Sequence, residues 1–333
     1  MAVRQRGPRA RPGAGGAGRR PGAGADARSG GEPQPLRRRG HLPVHHPARP
    51  GLSRVGRVAV IGDVGGHSAQ LRAALVALGA DPRSGRLPAD LQVVQVGDLV
   101  HRGPDSAGVV ALVDRALTDQ PDQWHQLVGN HEGQYVDTPA FDWPEVLPGD
   151  VQDTLRRWWH TGRMRTAAAI TESDGGQVLV THAGLTAGLH RRLGRPPTGD
   201  EAAAALNALR HDDPGTLWRA GTMLGGGAPD HSAGPVWAEA GAELAASWVA
   251  DEARGARMPF SQVHGHSSVV VFDRGEPLLC APELRDRVRL QQADRHVAVS
   301  AAGGLLIGVD PGFGKRAHRR WAPLVFSGAA VTA

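Results

Sequence analysis

Cysteine, long apolar runs and a signal-like segment are rare or absent in the sequence, and each absence excludes a class of protein or site. Among its 333 residues there is one cysteine, Cys280, which excludes an internal disulfide framework and a multi-cysteine zinc site. No run of about 18 apolar residues occurs, so a membrane-spanning helix is not expected. The first 53 residues lack the apolar stretch of about 7–15 residues that a secretory signal needs. These shortages favour a cytoplasmic protein without membrane partners.

Positive charge is concentrated at one end of the chain. Residues 1–54 hold 12 arginines against two acidic residues, whereas the remainder holds 26 basic and 31 acidic residues. Residues 1–53 are rich in Gly, Pro, Ala and Arg, so they cannot bury enough apolar surface to fold and are predicted to be a disordered tail. No aromatic residues lie between the arginines, and nucleic-acid binding is therefore not expected. The folded domain is predicted to span residues 54–333.

Three apolar runs, each followed by a polar loop, predict an α/β fold. They are Val58–Ile61, Leu91–Val96 and His125–Val128. A helix capped by Ser68 follows the first run, and a helix starting near Asp105 follows the second. Such alternation is typical of sheets whose chemistry lies beyond the carboxyl ends of the strands. Further strands are predicted at 167–171, 177–181, 261–264, 269–272, 296–300 and 305–309, further helices at 150–161, 200–209 and 238–249, and a helical and loop region beside the site at 186–260.

Five polar clusters each follow a predicted strand. They supply carboxylates, one amide oxygen and imidazoles, which suit a pair of divalent Mn, Fe or Zn ions. A shared carboxylate can hold two such metals about 3.5–4 Å apart. The clusters are Gly62-Asp-Val-Gly-Gly-His67, Gly97-Asp-Leu-Val-His-Arg-Gly-Pro-Asp105, Gly129-Asn-His-Glu132, Thr181-His-Ala-Gly184 and His264-Gly-His266.

The ordered set of clusters resembles the signature of the calcineurin-like metallophosphoesterases. Within them it is similar to the phosphoprotein phosphatase branch, with its bacterial phosphatases and diadenosine-tetraphosphatase relatives. Gly-Asn-His-Glu and Arg-Gly-Pro-Asp-Ser are the most specific pieces, and the match covers about residues 57–312. The resemblance implies a four-layer α/β/β/α sandwich with two mixed sheets. It also implies hydrolysis of a phosphate ester by a metal-activated hydroxide at a dinuclear site, with no covalent enzyme intermediate.

The resemblance assigns roles to individual residues. Asp63 resembles the first-metal ligand, Asp98 the bridging carboxylate, and His131 the general acid. Arg102 is similar to the arginine that grips the phosphate, and Arg163 or Arg165 is the candidate for a second one. Asn130, His182 and His266 resemble the second-metal ligands. The Asp310 turn resembles a late Asp-x-Gly motif that supports the site.

Two positions depart from the family pattern. The family has a histidine two residues after the first aspartate, where this chain has Gly65; His67 and His264 are the candidates to complete the first metal site. Residues two apart on a strand face one side, so His264 could join His266 if the strand stays regular. His101 stands where the family has the aspartate that orients the general acid, and it could instead contact metal or substrate.

The expected function is hydrolysis of a phosphomonoester or phosphoprotein with two divalent ions, manganese preferred. Cleavage of a dinucleoside polyphosphate is the alternative within the class. A catalytically weak, metal-binding regulatory protein is the rival outside it, since two family residues are replaced. A dinucleotide-binding protein is disfavoured, because no G-x-G-x-x-G follows the first strand.

Overall fold

The computed structural model describes residues 56–137, 139–141, 143–272, 276–277, 282–312 and 321–333. The predicted tail and Cys280 lie outside these residues. The strands are β1 Arg57–Ile61, β2 Leu91–Gln95, β3 Trp124–Leu127, β4 Met164–Arg165, β5 Ala167–Glu172, β6 Gln177–Thr181, β7 Ser261–His264, β8 Val270–Val271, β9 Glu276–Pro277, β10 Val288–Gln291, β11 His296–Ala301, β12 Gly304–Gly308, β13 Leu324–Ser327 and β14 Ala329–Val331.

Helices cover much of the remaining described chain. They are α1 Ser68–Ala77, α2 Ser106–Asp119, α3 Asn130–Val136, α4 Gly149–His160, α5 Ala187–Arg192, α6 Gly199–Asp212, α7 Pro214–Leu217, α8 Thr222–Gly225 and α9 Ala246–Glu252. A π-helical segment at Ala240–Ala245 leads into α9, and a 3-10 helix covers Pro282–Arg287.

Two mixed sheets organise the fold. The first has the order β13-β1-β2-β3-β4, in which β1 to β4 are parallel and β13 is antiparallel. The second has the order β10-β11-β12-β7-β6-β5-β14, with β12, β7 and β6 parallel. The parallel strands of each sheet bring their carboxyl ends to one edge, and that is where the polar clusters lie.

Strand alternation separates the layers. In β1, Val58 and Val60 belong to an apolar cluster with Ile170 and Val180 of the second sheet, so this cluster fills the space between the sheets. Ala59 and Ile61 belong instead to a cluster that includes buried residues of α1, α2 and α4. A third cluster joins α9 to β11 and β12. Helices therefore flank both sheets, which confirms the four-layer sandwich.

Most of the predicted elements are present, with two corrections. The prediction of a strand at Val269–Phe272 was too long: β8 has two residues and pairs with β9 in a separate small sheet. Ser68 begins α1 but does not cap it, because its hydroxyl bonds the Asp105 carboxylate. Asp105 caps α2 as expected, accepting from the Gly108 N–H at 2.9 Å.

No helix among the described residues is both long enough and apolar enough to cross a bilayer. The 186–260 region contains α5 to α9 and their loops, in agreement with the helical pattern expected there.

Replacing His125 should reduce the acid sensitivity of the fold. Burial, and then the nearby Arg165, lower the pKa of this histidine to about 4. The unfolded chain, with a pKa near 6.5, therefore binds more protons between these values, and stability falls as pH drops through them. We expect His125→Gln to lose less unfolding free energy than wild type between about pH 7 and 4.5, measured by urea titration. The exposed His160→Gln is the control, and equal losses in all three proteins would contradict the expectation.

Candidate metal centre

Five side chains from five strand ends meet at one edge of the sandwich. Asp63 follows β1, Asp98 follows β2, and Asn130 opens α3 just after β3. His182 and His266 follow β6 and β7 of the other sheet. Asp98, His182 and His266 each offer one ligand atom, and these atoms lie within 4.8 Å of one another. This group is thus assembled from strand ends of both sheets.

Glu132 fixes the loop that carries Asp98. Its buried carboxylate accepts the backbone N–H groups of Asp98 at 2.8 Å, Leu99 at 2.8 Å and Gly129 at 2.9 Å. Burial and the charge of Asp98 raise the pKa of Glu132 to about 7, while the three N–H groups favour its charged form. One side chain therefore ties the loop after β2 to the turn before α3.

Backbone strain is concentrated in the motif loops. Asp98 (φ 52°), His101 (φ 70°), Arg102 (φ 69°) and His266 (φ 64°) adopt left-handed conformations without being glycine. Each such residue costs about 1–3 kcal/mol and persists where surrounding contacts force it. The contacts of Glu132 supply that constraint at Asp98.

The tautomer of His182 is set by the protein backbone. Its Nδ1 donates to the Val96 carbonyl at 3.0 Å, and burial lowers its pKa, which favours the neutral ring. Its Nε2 must then present a lone pair. That nitrogen lies 3.0 Å from Asn130 Oδ1 and 3.4 Å from Asp98 Oδ1.

The same amide oxygen also faces His266. Asn130 Oδ1 lies 3.0 Å from His266 Nδ1, while His266 Nε2 is buried without a hydrogen-bond partner among the described residues. Lone pairs of a nitrogen, an amide and a carboxylate thus converge, which is unfavourable unless a cation lies among them. The donor set fits a divalent metal held by Asp98, Asn130, His182 and His266.

Asp63 is a further buried carboxylate at the same edge of the sandwich. Its Oδ1 accepts the backbone N–H of His266 at 3.1 Å, and its Oδ2 is buried with no hydrogen-bond partner in the described part of the chain. Burial, together with the charges of Asp310 and Asp98, raises its pKa well above the ordinary value. Close packing requires glycine at 265, because a Cβ there would lie 2.2 Å from Asp63 Oδ1. A buried carboxylate with a free oxygen again fits a cation.

The electrostatic balance of the site depends on one arginine. Burial raises the pKa of the Asp98 carboxyl, and the permanent positive charge of Arg102 acts in the opposite direction. Arg102 is exposed at the mouth of the site, and its charge also opposes the raised pKa of Asp63. A phosphate at the mouth would therefore meet this guanidinium first.

Comparison with known proteins agrees with the geometry. Residues 56–221 match the family model of the calcineurin-like phosphoesterases. The chain belongs to this family. It is accordingly a hydrolase of phosphate esters, and the convergent Asp and His side chains indicate that it binds divalent metal.

Solved structures resemble this phosphoesterase only distantly. A cold-active protein-tyrosine phosphatase of a psychrophilic Shewanella is 18% identical, with 78% of this chain and 72% of that chain covered and a TM-score of 0.45. A metallophosphoesterase from Sphaerobacter thermophilus is 16% identical, with 84% of this chain and 86% of that chain covered and a TM-score of 0.38. A candidate diadenosine tetraphosphatase is 22% identical, with 78% of this chain and 85% of that chain covered and a TM-score of 0.36. Likeness at this level does not indicate a substrate.

Neither candidate for the missing first-site histidine belongs to the group of Asp98, His182 and His266. His67 is buried immediately before α1, outside the group of Asp98, His182 and His266. His264 ends β7, its Nδ1 donates to the Gly265 carbonyl at 3.0 Å, and its ring packs over Gly308 of β12. The assumption of a regular strand through His266 was wrong, because the strand ends at His264 and His266 has a left-handed backbone.

Asp310 is a third buried carboxylate near the centre. Its Oδ1 accepts the Gly312 N–H at 2.7 Å, and burial raises its pKa. A Cβ on Gly62 would lie 1.9 Å from the Val309 carbonyl, so the turn bearing Asp310 packs directly on the loop bearing Asp63. This position suits the supporting role expected of it.

The candidates for a second phosphate-binding arginine lie elsewhere. Arg165 ends β4, and its Nη2 lies 3.1 Å from His125 Nδ1. Arg163, Arg165 and His125 line a cavity of about 510 Å³ that none of the metal-site residues lines. The described structure brings only Arg102, of these three arginines, to the metal centre.

The general-acid candidate lies in an aromatic setting that the motifs do not reveal. His131 Nδ1 lies 2.7 Å from His101 Nδ1, and His101 Nε2 lies 2.6 Å from the Tyr135 hydroxyl. Trp143 stacks on His101 with ring centroids 5.4 Å apart, and Phe141 packs edge-on against His131. The contacts of Tyr135, Phe141 and Trp143 were missed because they lie outside the five clusters.

The role of Glu132 was also missed, although the motif containing it was recognised. Glutamate three residues after the N-cap Gly129 matches the half of a capping box in which the glutamate accepts the N-cap N–H, and that pattern could have indicated its contact with the Gly129 N–H. Its two contacts to the loop after β2 depend on tertiary structure and have no sequence signal.

Replacing Glu132 should loosen the whole centre. In Glu132→Gln one acceptor oxygen becomes an amide NH₂, so at least one buried backbone N–H loses its acceptor. We expect a loss of at least about 1–3 kcal/mol of unfolding free energy, measured in urea, together with weaker metal binding by calorimetry. The exposed Glu283→Gln serves as the control. Wild-type stability and metal affinity in Glu132→Gln would show that the three contacts are not needed.

Proposed function

We propose that this phosphoesterase hydrolyses phosphate monoesters, on small molecules or on proteins, with two bound divalent ions, preferentially manganese. Asp98, Asn130, His182 and His266 would hold one ion, and Asp63 with Asp98 would hold the other. The ligand types suit several first-row metals, and the two-metal arrangement follows from the bridging position expected of Asp98.

One observation carries the proposal. The lone pair of His182 Nε2 points at Asn130 Oδ1 and Asp98 Oδ1, at 3.0 and 3.4 Å, with no proton available between them. A buried group of acceptors of this kind is stable around a cation. The exposed guanidinium of Arg102 and the ring of His131 lie beside it, 3.2 Å apart, where a phosphate ester could meet all three features.

The metals and the protein side chains would contribute different parts of the chemistry. Bound divalent ions lower the pKa of a coordinated water and neutralise phosphate oxygens. Arg102 would bind two phosphate oxygens and orient the ester. His131 would hold a proton at Nε2 and give it to the oxygen of the leaving alcohol as the phosphorus–oxygen bond breaks. The oxygen of water forms the new bond to phosphorus, and no enzyme side chain becomes phosphorylated.

Metal content and turnover measured together test the proposal. We expect two manganese ions per chain by elemental analysis and Mn²⁺-dependent hydrolysis of an aryl phosphate. Asp98→Asn should lower both the metal affinity and kcat/KM by at least about 100-fold, because even indirect contacts to metal ligands are worth about 10–100-fold. Asp153→Asn, which changes an exposed aspartate on α4, is the matched control.

The other outcomes discriminate between functions. Turnover of diadenosine tetraphosphate but not of aryl phosphate or phosphopeptide would favour a dinucleoside polyphosphate hydrolase. Bound metal without turnover of any of the three would favour a regulatory metal-binding protein. Failure to bind metal even after incubation with Mn²⁺ would overturn the proposal.

A further inference from the structure

A row of four side chains runs from the mouth of the site into the protein. Arg102 Nη2 lies 3.2 Å from His131 Nε2, His131 Nδ1 lies 2.7 Å from His101 Nδ1, and His101 Nε2 lies 2.6 Å from the Tyr135 hydroxyl. The two histidines are 1% and 0% exposed. The family motif has an aspartate at the position of His101, so this row is a property of the present chain.

The direction of every hydrogen bond in the row follows from its outer end. A guanidinium can only donate, so His131 Nε2 must accept from Arg102. The neutral ring of His131 then carries its proton on Nδ1, and His101 Nδ1 must accept that proton. His101 in turn carries its own proton on Nε2 and donates it to the Tyr135 oxygen. The reverse direction would place two donors against each other at Arg102 and His131.

The surrounding structure holds the row in place. His131 and Tyr135 are four residues apart on α3, so their side chains lie on one face of the helix. The backbone N–H of His101 donates to the Ser106 hydroxyl at 2.9 Å, which anchors the loop on the other side. Trp143 stacks on His101 at an interplanar angle of 18° and meets His131 edge-on, with centroids 4.7 Å apart. The two rings therefore have little freedom to turn.

We propose that His101 and Tyr135 are positioning residues that replace the usual carboxylate with a neutral acceptor. Tyr135 accepts the Nε2–H of His101, and His101 offers a lone pair to His131 Nδ1–H. His131 is left with Nε2 as the one nitrogen that can exchange a proton at the site. This inference rests on the proposed function, because it concerns the proton that His131 gives to the leaving group.

Proton movement in the step is balanced. When Arg102 turns to the phosphate, His131 Nε2 takes up a proton from solvent while Nδ1–H stays bonded to His101. The Nε2 proton passes to the leaving oxygen as its bond to phosphorus breaks, and the attacking water releases one proton to solvent as its oxygen forms the new bond. His101 and Tyr135 keep their protons throughout, so they act only through the orientation of His131.

Two replacements of His101 test separately the role of Nδ1 as hydrogen-bond acceptor and that of Nε2–H as donor. In His101→Asn the amide oxygen can stand in for Nδ1, whereas in His101→Gln the amide can stand in for Nε2 and no acceptor remains for His131. We expect kcat to fall no more than about fivefold in the asparagine variant, and about 10–100-fold in the glutamine variant, with KM within about twofold of wild type in both. Equal losses in the two variants, or losses mainly in KM, would overturn the proposal.

The role of Tyr135 is tested by comparing the effect of its replacement in the wild-type chain and in the His101→Asn variant. Tyr135→Phe should lower kcat about fivefold in the wild-type chain, because one hydrogen bond is lost, but less than twofold in His101→Asn, where Nε2 is already absent. If the losses in kcat from the two changes were fully additive, the hydrogen-bonded row would be contradicted.

His101→Asp, which restores the family carboxylate, should raise kcat, because a negative charge favours the protonated form of His131. Slower turnover in this variant would contradict a purely positioning role.

A spectroscopic measurement does not depend on turnover or on the folding of variants. In the zinc-loaded wild-type protein, long-range ¹H–¹⁵N correlation spectra of the histidine rings should show His131 protonated at Nδ1 and His101 at Nε2. A proton on His101 Nδ1 would overturn the inference. The expected tautomers in a protein without phosphatase activity would sink the proposed function alone, because the row would then exist without that reaction.

Discussion

The Glu132 carboxylate is the contact on which the site depends. Three backbone N–H groups from two different loops converge on it, and two of them belong to Asp98, which has a left-handed backbone, and to Leu99 beside it. Asp98 in turn accepts the backbone N–H of His131 at 3.0 Å. The loop that carries Asp98 and the turn that begins the helix of His131 are therefore held together by one buried acceptor.

The side chains at the two ends of the site differ in how closely they converge. Asp98, Asn130, His182 and His266 lie at short separations, and the backbone fixes the tautomer of His182, so this group fits a cation. Around Asp63 the usual histidine is replaced by Gly65, whose N–H instead donates to the Asp98 carbonyl at 2.8 Å. The loop thus uses backbone contacts at this position, and if two ions bind as proposed, we expect the ion beside Asp63 to be held more weakly than the ion beside His182.

Sequence patterns predicted the strands, which show as apolar runs, and the polar clusters that follow the strand ends. The apolar runs predicted β1, β2 and β3 within one or two residues, and the clusters after them contain side chains that the structure brings together. Sequence patterns did not predict the features that are determined by tertiary packing. The bend after His264, the placement of Arg165 against His125, and the contact of Tyr135 with His101 each depend on neighbours distant in sequence. The disordered tail and a cytoplasmic location remain predictions of the sequence alone.

The central claim is that the four convergent ligands hold a metal. Anomalous diffraction from crystals soaked in Mn²⁺ measures this directly, because it locates the ion without reference to activity. We predict a strong peak in contact with Asn130 Oδ1, His182 Nε2, His266 Nδ1 and the Asp98 carboxylate. A peak confined to other parts of the molecule, or none at saturating Mn²⁺, would contradict the account.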